Sequence, residues 1–148
     1  MTPPLTAQQK ESIIRRLAFM QVELADLKAY ENLTYEVYRT DRHKRRDAER
    51  LVENLANAAI DIAKIVLAGE GLEIPTTYRE LFAQLARYGL ISPAMADWLG
   101  EFSRLRNVLA HQYLDIKWER LKRAIDEGPA VLQEFMALVE RLPGMVAE

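Results

Sequence analysis

Ser92-Pro-Ala-Met-Ala-Asp-Trp-Leu-Gly-Glu-Phe-Ser-Arg-Leu-Arg-Asn-Val-Leu-Ala-His-Gln-Tyr113 carries both a helix start and a helical period. Ser92 suits an N-cap, and Pro93 suits the first helical position, where its missing N–H costs nothing. The spacing predicts a helix from about 93 to 113. On a wheel of about 100° per residue, Trp98, Phe102, Leu105, Leu109 and Ile116 cluster and mark the core side. Arg106, Asn107, Ala110 and His111 fall on a second face roughly opposite. Tyr113 falls at the border between the two faces, nearly on the side of Arg106. The second face is too polar for a core, yet it is no ordinary Glu/Lys surface. Asn107 is locally unfavourable inside a helix. Ala110 is small enough to admit another backbone.

Outward from this stretch the same period continues. Ile13, Ile14, Leu17, Met20, Leu24 and Leu27 form a stripe between Glu11 and Tyr30, with Thr6 as N-cap. Asn32-Leu-Thr34 breaks it, with room for a short turn over Tyr35 to Tyr38. A second long helix starts near Asp41 with Leu51, Leu55, Ala58, Ile62, Ile65 and Val66 as its stripe, and Gly69-Glu-Gly71 stops it. Thr77-Tyr-Arg-Glu80 has capping-box spacing for a third helix bearing Leu81, Phe82 and Leu85, ended by Gly89. Asp115 is a candidate cap for a helix through Trp118, Leu121 and Ile125. Gly128-Pro129 interrupts or kinks that helix before Val131 to Leu142 continue it. Short connections make successive helices antiparallel. The reading is an all-α, up-and-down bundle of four to five helices in a single domain over residues 1–148, with its core at about 10–142.

The 148 residues fit one domain able to bury roughly 70% of its unfolded surface without a staple. The absence of cysteine excludes a disulfide scaffold, a thiolate zinc site and a cysteine nucleophile. No apolar run has the length of a membrane span, and the polar N-terminus lacks a signal core, so the expected location is the cytoplasm without membrane contact. The net charge is -2 and the pI about 5.8, so any RNA contact must use a local patch. The densest basic run is Arg39-Thr-Asp-Arg-His-Lys-Arg-Arg46, with Arg50 one turn later. Both a solvated helix start and an RNA contact fit this run.

The octet Arg106-Asn-Val-Leu-Ala-His111-Gln-Tyr113 resembles the Arg-x4-His-x-Tyr signature of HepT-like toxins in the HEPN superfamily. Ala48-Glu-Arg50 with Ala58-Ala-Ile-Asp-Ile-Ala63, Tyr78-Arg-Glu-Leu-Phe82, Leu90-Ile-Ser92 and the tail from Trp118 to Leu142 follow the same layout. The resemblance implies a homodimer formed through the motif helices, with two Arg/His pairs facing a shared cleft. It implies a metal-independent endoribonuclease, without cofactor, that is the toxin of a two-gene toxin–antitoxin pair. The antitoxin it implies is an MntA-like nucleotidyltransferase that silences the toxin by attaching AMP to the motif tyrosine, here Tyr113.

The chemistry fits. Metal-free RNA cleavage removes the 2′-hydroxyl proton and protonates the leaving oxygen. An imidazole such as His111 titrates in the right range. The Arg106 guanidinium can hold nonbridging phosphate oxygens bidentately, and Asn107 can orient the imidazole or bind phosphate. The competing readings are a non-catalytic HEPN module that binds nucleotide or partners a nucleotidyltransferase, and a structural bundle with a coincidental motif.

Overall fold

Caps and glycines divide the chain into its elements. The computed structural model describes residues 5–111 and 113–146, His111 by its backbone alone. In chain order the helices are α1 (Ala7–Leu27) with a 3-10 turn (Lys28–Tyr30), α2 (Tyr35–Thr40), α3 (Arg42–Gly69), α4 (Tyr78–Arg87), α5 (Pro93–His111) and α6 (Leu114–Glu140). There is no strand among the described residues. Thr6 and Gln9 form a reciprocal capping box, the Gln9 N–H donating to Thr6 Oγ1 at 3.0 Å and the Thr6 N–H to Gln9 Oε1 at 2.9 Å. Asp41, Thr77 and Ser92 accept the N–H of Lys44, Glu80 and Met95 at 3.0–3.2 Å. The Glu80 carboxylate turns to Arg87 at 2.5 Å. Gly71 and Gly89 follow α3 and α4 with φ of 72° and 75°, the left-handed geometry that ends a helix and suits glycine.

α1 and α3 run antiparallel, and their seam is marked by polar rungs. Arg16 pairs with Asp61 at 3.4 Å, Asn54 Nδ2 donates to Glu23 at 2.9 Å, and the Tyr30 hydroxyl donates to Asp47. Each rung is one heptad from the next on both helices, so the polar contacts stay on one line beside the apolar stripe. Ile13, Leu17, Met20, Leu24 and Leu27 are buried on α1. α3 is central, and its buried residues, from Ala48 to Gly69, lie on nearly every side. A helix apolar most of the way round is one enclosed by neighbours. The core is completed by Leu81, Phe82 and Leu85 of α4, Leu99, Phe102 and Leu105 of α5, and Leu121, Leu132 and Phe135 of α6.

Four local expectations change. Among the described residues there are six α-helices where four to five were expected, because Thr34 Oγ1 accepts the Val37 N–H at 3.2 Å and makes the expected short turn a separate helix, α2. Gly128-Pro129 does not interrupt α6, which runs unbroken from Leu114 to Glu140. Proline removes the bond to the Ile125 carbonyl, yet Ile125, Gly128 and Leu132 are buried on both sides, and packing holds the helix through. Asp115 is not the cap of α6. Tyr113 occupies that position, and Asp115 lies in the first turn. Ile14, assigned to the α1 stripe, is exposed, since the α3 contact covers only the neighbouring positions.

Candidate active site

α5 presents the motif. Leu105 and Leu109 are buried, while Arg106, Asn107 and Ala110 are exposed, so the opposite-face reading holds for these three. A hydrogen bond fixes Arg106. Its Nη1 donates to the Tyr78 hydroxyl at 2.7 Å, and its guanidinium carbon lies 5.9 Å from the Tyr78 ring centroid. Tyr78 is the first residue of α4, half-buried against the core. It reaches Arg106 because α4 packs closely on α5. A Cβ at Gly100 would stand 3.4 Å from the Arg79 Cα, in ordinary van der Waals contact, so the two backbones lie close there. One guanidinium N–H is engaged. The Arg106 side chain has no carboxylate partner among the described residues and stays open to an anion.

Tyr78 was not among the residues that the sequence put at the site. Its place at the head of α4, just behind the Thr77 cap, is legible in sequence, but its contact with Arg106 spans 28 residues and exists only in three dimensions.

The far end of the motif differs from the wheel. α5 stops at His111, two residues short of the expected end. Tyr113 has extended backbone, φ -70° and ψ 155°, and is the N-cap residue of α6. It therefore shares an end of the bundle with Arg106 but not a helical face. Its side chain is 82% exposed. Ile116, drawn on the same wheel, belongs to α6 and is 37% exposed, because a helical projection does not carry across the turn. Trp98 is half-buried, stacked on Phe102 at 4.9 Å. The His111 side chain and all of Gln112 lie outside the described residues.

Three aromatic side chains meet at the start of α6. Trp118, one turn into α6, packs against Tyr35 at 5.9 Å and Tyr38 at 5.4 Å between ring centroids. Tyr38 is fully buried and donates to Glu49 Oε2 at 2.5 Å. Burial first, then the hydrogen bond and charge of Glu49, push the Tyr38 phenol far above its ordinary pKa. Burial and the carboxylate of Asp47 likewise push Tyr30 up to about 12. The motif end of the bundle is thus tied to the start of α3.

A family model described as "Ribonuclease HepT-like" matches residues 20–139. The chain belongs to the HepT-like ribonuclease family. The tRNA nuclease HepT of Aphanizomenon flos-aquae is 30% identical to this HepT-like chain over 127 residues, which is 86% of this chain and 84% of the relative. The mRNA nuclease HepT of Shewanella oneidensis is 25% identical over 89 residues, 60% of this chain and 67% of that one. Two solved structures share the fold. One is a toxin–antitoxin crystal structure with AMP-PNP, at TM-score 0.79 and 19% identity, covering 89% of this chain and 99% of that one. The other is a tri-AMPylated Shewanella oneidensis HEPN toxin in complex with MNT antitoxin, at TM-score 0.78 and 20% identity, covering 88% and 98%.

Proposed function

We propose that this chain is the toxin of a HEPN/MNT toxin–antitoxin pair and cleaves RNA without a metal, using Arg106 and His111 in a cleft shared by two copies. The observation that carries the reading is Arg106, held by Tyr78 on an exposed face of the motif helix beside Asn107 and Ala110. A cation fixed by a neutral phenol keeps its charge for phosphate. A carboxylate partner would have neutralised it.

In the reaction, one His111 takes the ribose 2′-hydroxyl proton. The 2′-oxygen then bonds to phosphorus while the bond from phosphorus to the 5′-oxygen breaks. The His111 of the second copy, protonated, gives its proton to that leaving oxygen. Arg106 stabilises the charge growing on the nonbridging oxygens. Asn107 orients the imidazole or binds phosphate. The products are a 2′,3′-cyclic phosphate and a 5′-hydroxyl. Ala110 sits at the centre of the exposed face and lets the two motif helices approach. The relatives include a tRNA nuclease, an mRNA nuclease and an AMPylated toxin bound to its antitoxin, and these support the class of activity and of partner. AMP attached to Tyr113 by an MntA-like nucleotidyltransferase would place an anion at the motif end and repel the RNA backbone. The exposure of the phenol supports this assignment.

The test is cleavage of RNA by the purified chain. Arg106→Ala and His111→Ala should each abolish it with circular dichroism unchanged, and EDTA should leave it intact. Ala110→Trp should lose dimer and cleavage together in light scattering and gel assays. Cleavage restored only by added metal, or a fully active monomer, overturns the mechanism. Mass spectrometry after incubation with the nucleotidyltransferase and ATP should find AMP on Tyr113 and none on the Tyr113→Phe chain.

A further inference from the structure

We infer that Arg42, Arg46 and Arg50 form a phosphate-binding row that holds single-stranded RNA at the motif end of the bundle, an inference that rests on the nuclease reading above. The segment from Arg39 to Arg50 contains six Lys or Arg residues and three acids. In most helices such acids would neutralise their neighbours. Here each acid is engaged by a neutral donor. Asp41 caps α3 through the Lys44 N–H, Asp47 accepts from the Tyr30 hydroxyl, and Glu49 accepts from the Tyr38 hydroxyl. Two of the cations serve the fold. Arg39 pairs with Glu36 at 2.9 Å, and Arg45 donates to the carbonyls of Tyr38 and Arg39 at 3.2 and 3.1 Å, closing the end of α2. Arg42, Arg46 and Arg50 are exposed and have no ion pair among the described residues.

These three recur every four residues, so they stand in one row with about 6 Å of rise between neighbours. That rise is comparable with the separation of successive phosphates along an extended single strand. The row is unfavourable to the isolated helix on two counts. Like charges four apart repel, and the first lies at the positive end of the helix dipole. The Asp41 cap offsets part of the dipole cost, but the repulsion within the row has no ion-pair partner among the described residues, and a polyanion offsets it. Location supplies the second argument. Tyr38, whose hydroxyl is bonded to Glu49 of α3, packs on Trp118, one turn beyond the turn that follows the motif. Lys122 of α6 also donates to the Glu31 carbonyl at 3.0 Å, beside the 3-10 turn whose Tyr30 holds Asp47. The row and the motif therefore share one end of the bundle. A chain of net charge -2 then attracts RNA at this end and not across its whole surface.

The experiment measures binding of a labelled 2′-O-methyl RNA oligonucleotide, which lacks the attacking hydroxyl, to the full chain by fluorescence anisotropy across salt concentrations. A parallel series uses the chain with Arg42→Gln, Arg46→Gln and Arg50→Gln together. Each phosphate contact contributes roughly 0.7 to the slope of log affinity on log salt for single strands, so three lost contacts should reduce the slope by about 2. The triple variant should melt no lower than the native chain, since like-charge pairs are removed. It should cleave a dinucleotide normally and a long RNA with raised KM and retained kcat. An unchanged salt slope in the folded variant overturns the row, as does weakened binding to the nucleotidyltransferase alone, which would assign it to the protein partner. Native chain that binds no RNA overturns it too. If the slope falls by about 2 but the native chain cleaves nothing, the row stands and the nuclease reading fails. If the native chain cleaves and the slope is unchanged, the reverse holds.

Discussion

Replacing Tyr38 by Phe keeps the ring against Trp118 and removes only the hydroxyl. Glu49, half-buried, then loses its donor. A hydrogen bond to a charged group contributes about 1.5–3 kcal/mol, and partial access of water to Glu49 favours the low end. The expected loss at pH 8 is therefore about 1.5 kcal/mol, or a fall of roughly 3–6 °C in Tm for a chain of this size. The pH dependence adds a sharper test. Tyr38 is an acid whose folded pKa lies well above its ordinary value of 10.0, first through burial and then through Glu49. Above pH 10 the folded state keeps a proton that the unfolded state has released. The stability contributed by the neutral phenol is thus complete below pH 10 and declines as pH rises, by about 1.4 kcal/mol at pH 11. Phenylalanine has no such loss. The gap between the two chains should close from about 1.5 kcal/mol at pH 8 to near zero at pH 11. Tyr30 is common to both chains and cancels in the difference. Urea unfolding followed by circular dichroism at pH 8, 10 and 11 measures it. A gap below roughly 0.5 kcal/mol at pH 8, or one that stays constant to pH 11, would refute the reasoning.

Ser103 is fully buried on α5, and its hydroxyl has no hydrogen-bond partner among the described residues. Ser103→Ala should therefore stabilise the chain by about 1 kcal/mol, and a lower melting temperature would show that the hydroxyl is satisfied in solution. Tyr78→Phe keeps the ring beside Arg106 but frees the guanidinium. Under the nuclease reading, cleavage should slow roughly fivefold, equivalent to about 1 kcal/mol for an exposed charged hydrogen bond, while Tm changes little. An unaltered rate would remove Tyr78 from the positioning of Arg106.

Much of this protein is written locally. Thr6, Asp41, Thr77 and Ser92 each cap a helix in the structure, and Gly71 and Gly89 end two of these four, because these signals depend on a few consecutive residues. The apolar stripes fixed which faces of α1, α3 and α4 are buried, with Ile14 as the exception, and the exposed side of Arg106, Asn107 and Ala110 followed from the same period. The motif also carried the family, since its residue types and spacing need no structure to be seen.

Tertiary structure decided what local rules cannot reach. Pro129 stays inside α6 because burial on both flanks outweighs one missing hydrogen bond. The helix of the motif ends at His111 with no glycine or proline to announce it, so Tyr113 leaves the wheel and stands at the N-cap position of the next helix. Tyr78 on Arg106, Tyr30 on Asp47 and Tyr38 on Glu49 join residues distant in sequence or on different elements. Those contacts fix where the charged groups are held. Sequence alone supplied the helices and the motif, because propensity, capping and periodicity are short-range. That Arg106, Arg42, Arg46 and Arg50 have no ion pair among the described residues is a consequence of packing, because a charge is free only in relation to everything the fold brings near it.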